Sequence, residues 1–255
     1  MSVRPPAVAG TFYPASPSEL KSQVEGFLQG SGPSSVPKAV IAPHAGYVYS
    51  GPIAGSAFRG LAPAASAIRR VILLGPSHFV PIRGLALPDR QRFETPLGQV
   101  TIDPEGARDA LRLPQVRVIA EAHAREHSLE VEIPFLQVLL GDDFTLVPLA
   151  AGEASGEDVA EVLETLWGGP ETAVVVSSDL SHYLPYAEAR RVDRETASEI
   201  VGLAGPLHGR QACGAVPING RLETARRLKM TAELLDLRSS GDTAGDRSRV
   251  VGYGA

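Results

Sequence analysis

Thr172-Ala173-Val174-Val175-Val176-Ser177-Ser178-Asp179-Leu180-Ser181-His182 is the stretch on which the reading of the fold turns. It opens with a near-continuous β-branched run, the pattern of a strand covered on both faces. The run stops at small and polar residues that include Asp179 and His182. Two other apolar runs, upstream, stop in the same way. Residues 38–42 are strand-like and lead into Pro43-His44-Ala45-Gly46, and residues 70–74 run into Gly75-Pro76-Ser77-His78. Helical patterns alternate with these runs. Ser16-Pro17-Ser18-Glu19 writes a helix start, with Ser16 as cap, Pro17 in the first turn and Glu19 closing a capping box. Leu20, Val24, Phe27 and Leu28 follow at helical spacing. Ser155-Gly156-Glu157-Asp158 caps another helix, with Val159, Val162, Leu163 and Leu166 on one face. Residues 129–140 read as a helix disturbed by Pro134, and residues 186–203 and 217–229 as two more. Residues 93–102, with Pro96 and Gly98, read as a hairpin; residues 144–149, 233–237 and 249–253 read as strands. This alternation predicts a single α/β domain over residues 1–255, with a central mostly parallel or mixed β-sheet and helices on both faces.

Composition narrows the class of function. At 255 residues, 44% hydrophobic and 21% charged, the chain is near the globular average and long enough to bury a full core unaided. A net charge of −5 argues against a large basic nucleic-acid surface. One cysteine forms no internal disulfide, so the framework is not that of a secreted, cross-linked protein. Residues 1–14 hold three prolines and no continuous apolar run, against a signal peptide, and no run of about 18 apolar residues offers a membrane span. The expectation is a cytoplasmic protein without nucleic-acid or membrane partners. No GxGxxG, phosphate loop or G-x-S-x-G elbow occurs.

In open α/β sheets, ligands bind just beyond the carboxyl ends of the strands. If the three strands are parallel and adjacent, His44, His78, Asp179 and His182 all project into one crevice. A lone histidine after a strand is more often a core or surface residue, but three such placements in one chain reverse that preference. An imidazole pair suits zinc, iron, copper or nickel. Cys213, in Ala212-Cys213-Gly214-Ala215-Val216-Pro217, precedes a helical pattern whose exposed N–H groups would favour its thiolate. It is a third ligand, a redox thiol or an inert buried cysteine. His123-Ala124-Arg125-Glu126-His127 matches H-x-x-E-H, in which two histidines hold zinc and Glu126 acts as base. His127 reads equally as part of a helix cap or as a wall of the crevice, and His208 as an exposed loop residue. Of Tyr47 and Tyr49, which flank the first candidate ligand, one suits hydrogen bonding to a bound group and the other the core.

Six short segments, spread from near the N-terminus to about residue 220, carry a resemblance. They are Pro6-Ala7-Val8-Ala9-Gly10-Thr11-Phe12-Tyr13-Pro14, Ile41-Ala42-Pro43-His44-Ala45-Gly46-Tyr47, Leu74-Gly75-Pro76-Ser77-His78, Glu126-His127-Ser128-Leu129-Glu130, Ser177 to His182, and Cys213-Gly214 with Pro217-Ile218. Together they resemble the Memo family, whose bacterial members are also called AmmeMemoRadiSam system protein B. The resemblance implies a fold similar to that of the class III extradiol dioxygenases, which use non-haem iron(II). It implies His44, His78 and Cys213 as metal ligands, His182 as the acid/base with Asp179 beside it as catalytic residues, and iron(II) or copper, or else zinc, as cofactor. Tyr49, Ser77 and His127 are then expected on the substrate side. The ligand in the crevice would be a small molecule or a peptide, and other proteins of the AmmeMemoRadiSam system are expected partners. Cys213 stands where the dioxygenases carry a carboxylate, and a thiolate is softer and more readily oxidised. The stretch between His182 and Cys213 is short for the family, implying a more open crevice. Three functions follow: a metal-dependent redox enzyme, a non-catalytic module binding a peptide or partner in the same crevice, and a zinc peptidase built on His123, Glu126 and His127.

Overall fold

The apolar runs become strands of one large sheet in the computed structural model, which describes residues 2–255. In chain order the elements are β1 (Val3–Arg4), α1 (Pro17–Phe27), β2 (Ala39–Ala42), α2 (Tyr47–Arg59), β3 (Arg70–Pro76), β4 (Leu85–Leu87), β5 (Arg92–Thr95) and β6 (Gly98–Ile102). Next come α3 (Pro104–Ala110), β7 (Val116–Val118), α4 (Glu121–Ala124), α5 (Ile133–Leu140), β8 (Thr145–Ala151), α6 (Gly156–Leu166) and β9 (Thr172–Ser177). The chain closes with β10 (His182–Leu184), α7 (Tyr186–Val201), α8 (Ala215–Arg227), β11 (Leu237–Ser239) and β12 (Val250–Gly254). The main sheet runs β1-β5-β6-β8-β3-β9-β2, with β4 and β7 added beside β8. Its pairs are parallel except β5–β6 and β4–β8. β10, β12 and β11 form a small antiparallel sheet.

β9 lies between β3 and β2, and the register makes all three finish together: Ile72 and Leu74 face Val174 and Val176, while Val40 and Ala42 face Val175 and Ser177. Alternation along β9 sends Val175 into a core with Phe58, Phe135 and Leu73, and Val174 and Val176 into a second core with Val159, Leu163 and Ile218. α1, α2 and α5 cover the first face; α6 and α8 cover the second. The β-branched run is buried because both faces are roofed.

Helix α2 was not evident in its sequence, YVYSGPIAGSAFR, whose small residues carry little apolar periodicity. It forms because those residues admit a neighbour: a Cβ at Gly55 would stand 2.3 Å from the Phe27 carbonyl oxygen, so α1 crosses with backbone nearly touching backbone. Residues 129–140 divide into a 3₁₀ turn at Glu130–Glu132 and then α5, with Pro134 in the first turn, where no N–H is needed. The strand expected at 233–237 is displaced to β11, which starts at Leu237 and pairs with β12. Among the described residues, no helix is long and apolar enough to cross a membrane.

Candidate metal centre

His44, His78 and Asp179 each lie two residues beyond the last residue of β2, β3 and β9. The in-register ends therefore set all three at one edge of the sheet. Cys213 arrives from the turn before α8, its N–H donating to the Asp179 carbonyl (3.2 Å) while the Asp179 N–H donates to its Sγ (3.3 Å). This exchange brings Sγ to 3.4 Å from His44 Nε2. The His44 and His78 ring centroids are 5.2 Å apart, and one ligand atom from each of His44, His78 and Cys213 lies within 4.8 Å of the others. An ion bonded to nitrogen and sulfur with tetrahedral angles would separate those donors by about 3.6 Å, close to the His44–Cys213 spacing.

The proton positions follow from hydrogen bonding. His44 Nδ1 meets Ser177 Oγ at 2.7 Å, and that hydroxyl also contacts the Ser128 carbonyl (2.6 Å) and Glu132 Oε1 (2.8 Å). A hydroxyl has one proton to give. Burial pushes the Glu132 carboxyl well above its usual range. The consistent assignment has Glu132 and His44 Nδ1 donating to Ser177, and Ser177 donating to Ser128. His44 Nε2 is left as a lone pair facing Cys213. Burial, then the nearby His78 and His127, hold the His44 imidazole neutral. His78 Nδ1 donates to Glu126 Oε1 (2.9 Å) and its backbone N–H to Oε2 (2.6 Å), which frees its Nε2 likewise. Burial alone would raise the Glu126 carboxyl, but the hydrogen bonds it accepts from His78 and from the Ser128 N–H bring it down to about 2. This is the carboxylate–histidine arrangement that fixes the tautomer of metal-binding imidazoles.

Cys213 corrects the expectation of a thiolate favoured by helix N–H groups. The Gly214 N–H at the head of α8 donates to Ser178 Oγ (2.9 Å), and burial, then the Asp179 charge, push the thiol up to about 12. A bound cation would be the charge that deprotonates it.

Around these donors, His182 gives its Nδ1 proton to the Leu180 carbonyl (2.8 Å), so its Nε2 is a free base, and burial holds the imidazole below its usual range. Asp179 accepts the His44 N–H (2.9 Å), which ties it to the His44 turn, and burial lifts its carboxyl to about 7. His127 stacks on His78 (4.8 Å between centroids) with Phe12 on its other contact (4.7 Å), forming a wall of the crevice. Tyr49 is exposed on the first turn of α2, whereas Tyr47 is core, its hydroxyl donating to Val131 O (2.7 Å). The Ser77 hydroxyl donates to Val80 O (2.7 Å) and shapes the turn that presents His78. His208 is exposed.

The zinc-peptidase reading does not survive this geometry. α4 ends at Ala124 and Arg125 leaves helical geometry, so His123 and His127 do not share a helix face. His123 is buried and donates from Nε2 to Ala86 O (2.8 Å); its Nδ1 has no partner, and burial lowers it to about 4. A histidine buried neutral contributes stability that is complete above the unfolded value of 6.5 and is lost as pH falls toward 4. Over that window wild type is expected to lose about 3 kcal/mol more than His123→Asn, measured by urea unfolding at pH 7.5 and 4.5. Identical pH profiles would clear His123 of that role.

One group essential to the site escaped the sequence reading. Arg4, in β1, forms a buried ion pair with Glu130, and also donates from Nε to His123 O (2.9 Å) and from Nη2 to Glu126 O (2.5 Å). Glu130 further accepts from the N–H groups of Ala7 (2.8 Å) and Val8 (3.0 Å) and from the Tyr13 hydroxyl (2.5 Å). This cluster locks residues 4–13 against the segment that delivers Glu126 and His127. Glu130 heading an apolar helix was its only trace in the sequence.

Comparison with known proteins matches residues 4–255 to a family model described as Memo-like protein. A MEMO1 family protein of Sulfolobus acidocaldarius is 36% identical, over 98% of this chain and 97% of its own. Those of Methanopyrus kandleri and Aquifex aeolicus are each 36% identical over 99% of this chain, covering 97% and 98% of theirs.

Proposed function

Because the chain belongs to the Memo family, we propose that it is a non-haem metal protein carrying out an oxidation related to that of the class III extradiol dioxygenases, with its ion on His44, His78 and Cys213. The observation that carries this reading is the convergence of two imidazole nitrogens and one sulfur within 4.8 Å, with Nδ1 of both rings committed elsewhere. Two neutral imidazoles and a thiolate would leave a divalent ion with a charge of about +1, and sulfur favours iron(II), copper or zinc over magnesium or calcium. Bound iron or copper would supply a redox-active Lewis acid that polarises a substrate oxygen. The chain's own part is acid–base and steric. His182 Nε2, neutral near pH 7, takes the proton of a substrate hydroxyl or returns it to product. His127 and Phe12 wall one side of the bound molecule, and Tyr49 stands at the open side with its hydroxyl free to donate.

Anaerobic titration with iron(II) or copper(I), with metal content read by mass spectrometry, tests the site. One equivalent is expected in wild type and in His123→Asn, and none in His44→Ala. Oxygen uptake with a catechol panel tests the chemistry: His182→Ala should keep the metal and lose turnover. Equal metal content in wild type and His44→Ala would refute the ligand set, and a loaded protein inert to every catechol would return the crevice to a binding role.

A further inference from the structure

A second cavity, remote in sequence from the metal ligands, runs along β2, the terminal strand of the main sheet, whose outer edge pairs with no other strand among the described residues. Residues of β2, α7, α8 and the irregular stretch 229–235 enclose about 430 Å³, within the roughly 300–1,000 Å³ of small-molecule pockets. Its walls are mainly aliphatic, with Val40, Ile200, Leu222 and Leu235 among them. Three of the large apolar side chains that the protein leaves exposed, Val36, Val201 and Leu234, belong to the same lining.

Set into these walls is a guanidinium without a counter-ion. Arg221 Nε and Nη1 are inaccessible to solvent and have no hydrogen-bond partner, and Nη2 meets only the Met230 sulfur (3.3 Å). Its carbon centre lies 5.4 Å from the centroid of the Trp167 ring. Burial lowers it to about 10, so it is a cation at neutral pH. The other charges lining the cavity do not neutralise it. Lys38 is spent on the carbonyls of Gly169 and Thr172 (2.6 Å each), Lys229 adds positive charge, and Glu233 is exposed and forms no ion pair with Arg221. A half-buried cation with unsatisfied N–H groups is costly to keep; Nε and Nη1 are closed off, so a ligand in the cavity would meet the guanidinium at Nη2, beside the Met230 sulfur.

We propose that this cavity binds an amphipathic monocarboxylate, a fatty-acid-like molecule whose carboxylate accepts from Arg221 Nη2 and whose hydrocarbon tail lies along Val40, Ile200, Leu222 and Leu235. One guanidinium nitrogen offers a single docking point for charge, which favours a singly charged carboxylate over a doubly charged phosphate. An anionic lipid in a bilayer offers similar chemistry, and vesicle co-sedimentation separates it from the free acid.

Trp167 is the chain's only tryptophan, and its contact with Arg221 makes its fluorescence a reporter of the site. Titration of wild type with decanoate, below its micellar concentration, should give a saturable change, with decan-1-ol binding at least tenfold more weakly. Arg221→Met should weaken decanoate at least tenfold, leave decan-1-ol unchanged, and not lower Tm, since an unpaired buried charge is being removed. Equal affinity for the acid and the alcohol, absence of saturation, or undiminished decanoate binding by Arg221→Met would each overturn the proposal. So would co-sedimentation with phosphatidylglycerol vesicles without a response to free decanoate. The acid–alcohol comparison uses wild type alone, so it decides the matter even if the variant fails to fold.

Discussion

Cys213→Ser is expected to lower the affinity for copper(I) or iron(II) at least tenfold, equivalent to about 1.4 kcal/mol, in a protein that stays folded. Serine is nearly isosteric, and its hydroxyl can take over the contacts with the Asp179 backbone, so the turn before α8 keeps its path. What it cannot supply is a soft anion. A thiolate at the Sγ position, 3.4 Å from His44 Nε2, is the only negatively charged donor in the three-residue set. With serine there the site becomes two neutral imidazoles, and copper(I) should suffer more than zinc. The same sulfur makes the wild type sensitive to peroxide, which would oxidise Cys213 and release the ion. Competition against a chromogenic chelator under anaerobic conditions measures the change. A folded Cys213→Ser with unchanged affinity would remove the cysteine from the site and leave His44 and His78 as its only ligands.

Glu130→Gln should be the most damaging conservative change in the protein, costing about 3–5 kcal/mol, as does loss of one partner from other buried pairs. Arg4 and Glu130 are 3% and 0% exposed, so the stranded guanidinium has no water to turn to. The new amide would also aim N–H groups at donors, since the original carboxylate accepts from Ala7, Val8 and Tyr13. Urea unfolding reads the loss. The double variant Arg4→Met/Glu130→Gln should recover part of it, because the isolated charge is gone. A cost below about 1 kcal/mol, the range of exposed pairs, would show that Arg4 finds another counter-charge.

Strand ends were the legible part of this sequence, and they are what an α/β sheet organises. The β-branched run and the two apolar runs upstream of it marked where β9, β2 and β3 end; their adjacency, left conditional by the sequence, comes from the sheet, and the residues following them share one end of it by register. Interactions between segments distant in sequence were illegible. Arg4 and Glu130 are 126 residues apart, and no local pattern links them. α2 depends on close approach of Phe27, which periodicity does not encode. The short H-x-x-E-H motif misled because its spacing presumes a continuous helix, whereas the chain turns at Arg125 and assigns Glu126 to orient His78. For Cys213, proximity to a helix start was visible, but burial beside Asp179 outweighs it.

The two histidines are held by atoms other than the ones they would offer to an ion, and the cysteine is held both by its backbone and by the Asp179 N–H on its sulfur. His44 is held through its N–H and Nδ1, His78 through its N–H and Nδ1, and Cys213 through its backbone N–H. An arriving ion thus meets a finished cage. Unlike a zinc finger, which acquires its shape along with its metal, this chain spends none of the coordination energy on ordering itself. A cage with so little freedom also cannot reject an intruder by folding differently around it. Among soft and borderline cations, occupancy of such a cage should therefore track which one its surroundings make available, and the metal it would hold is as much a property of the environment as of the protein.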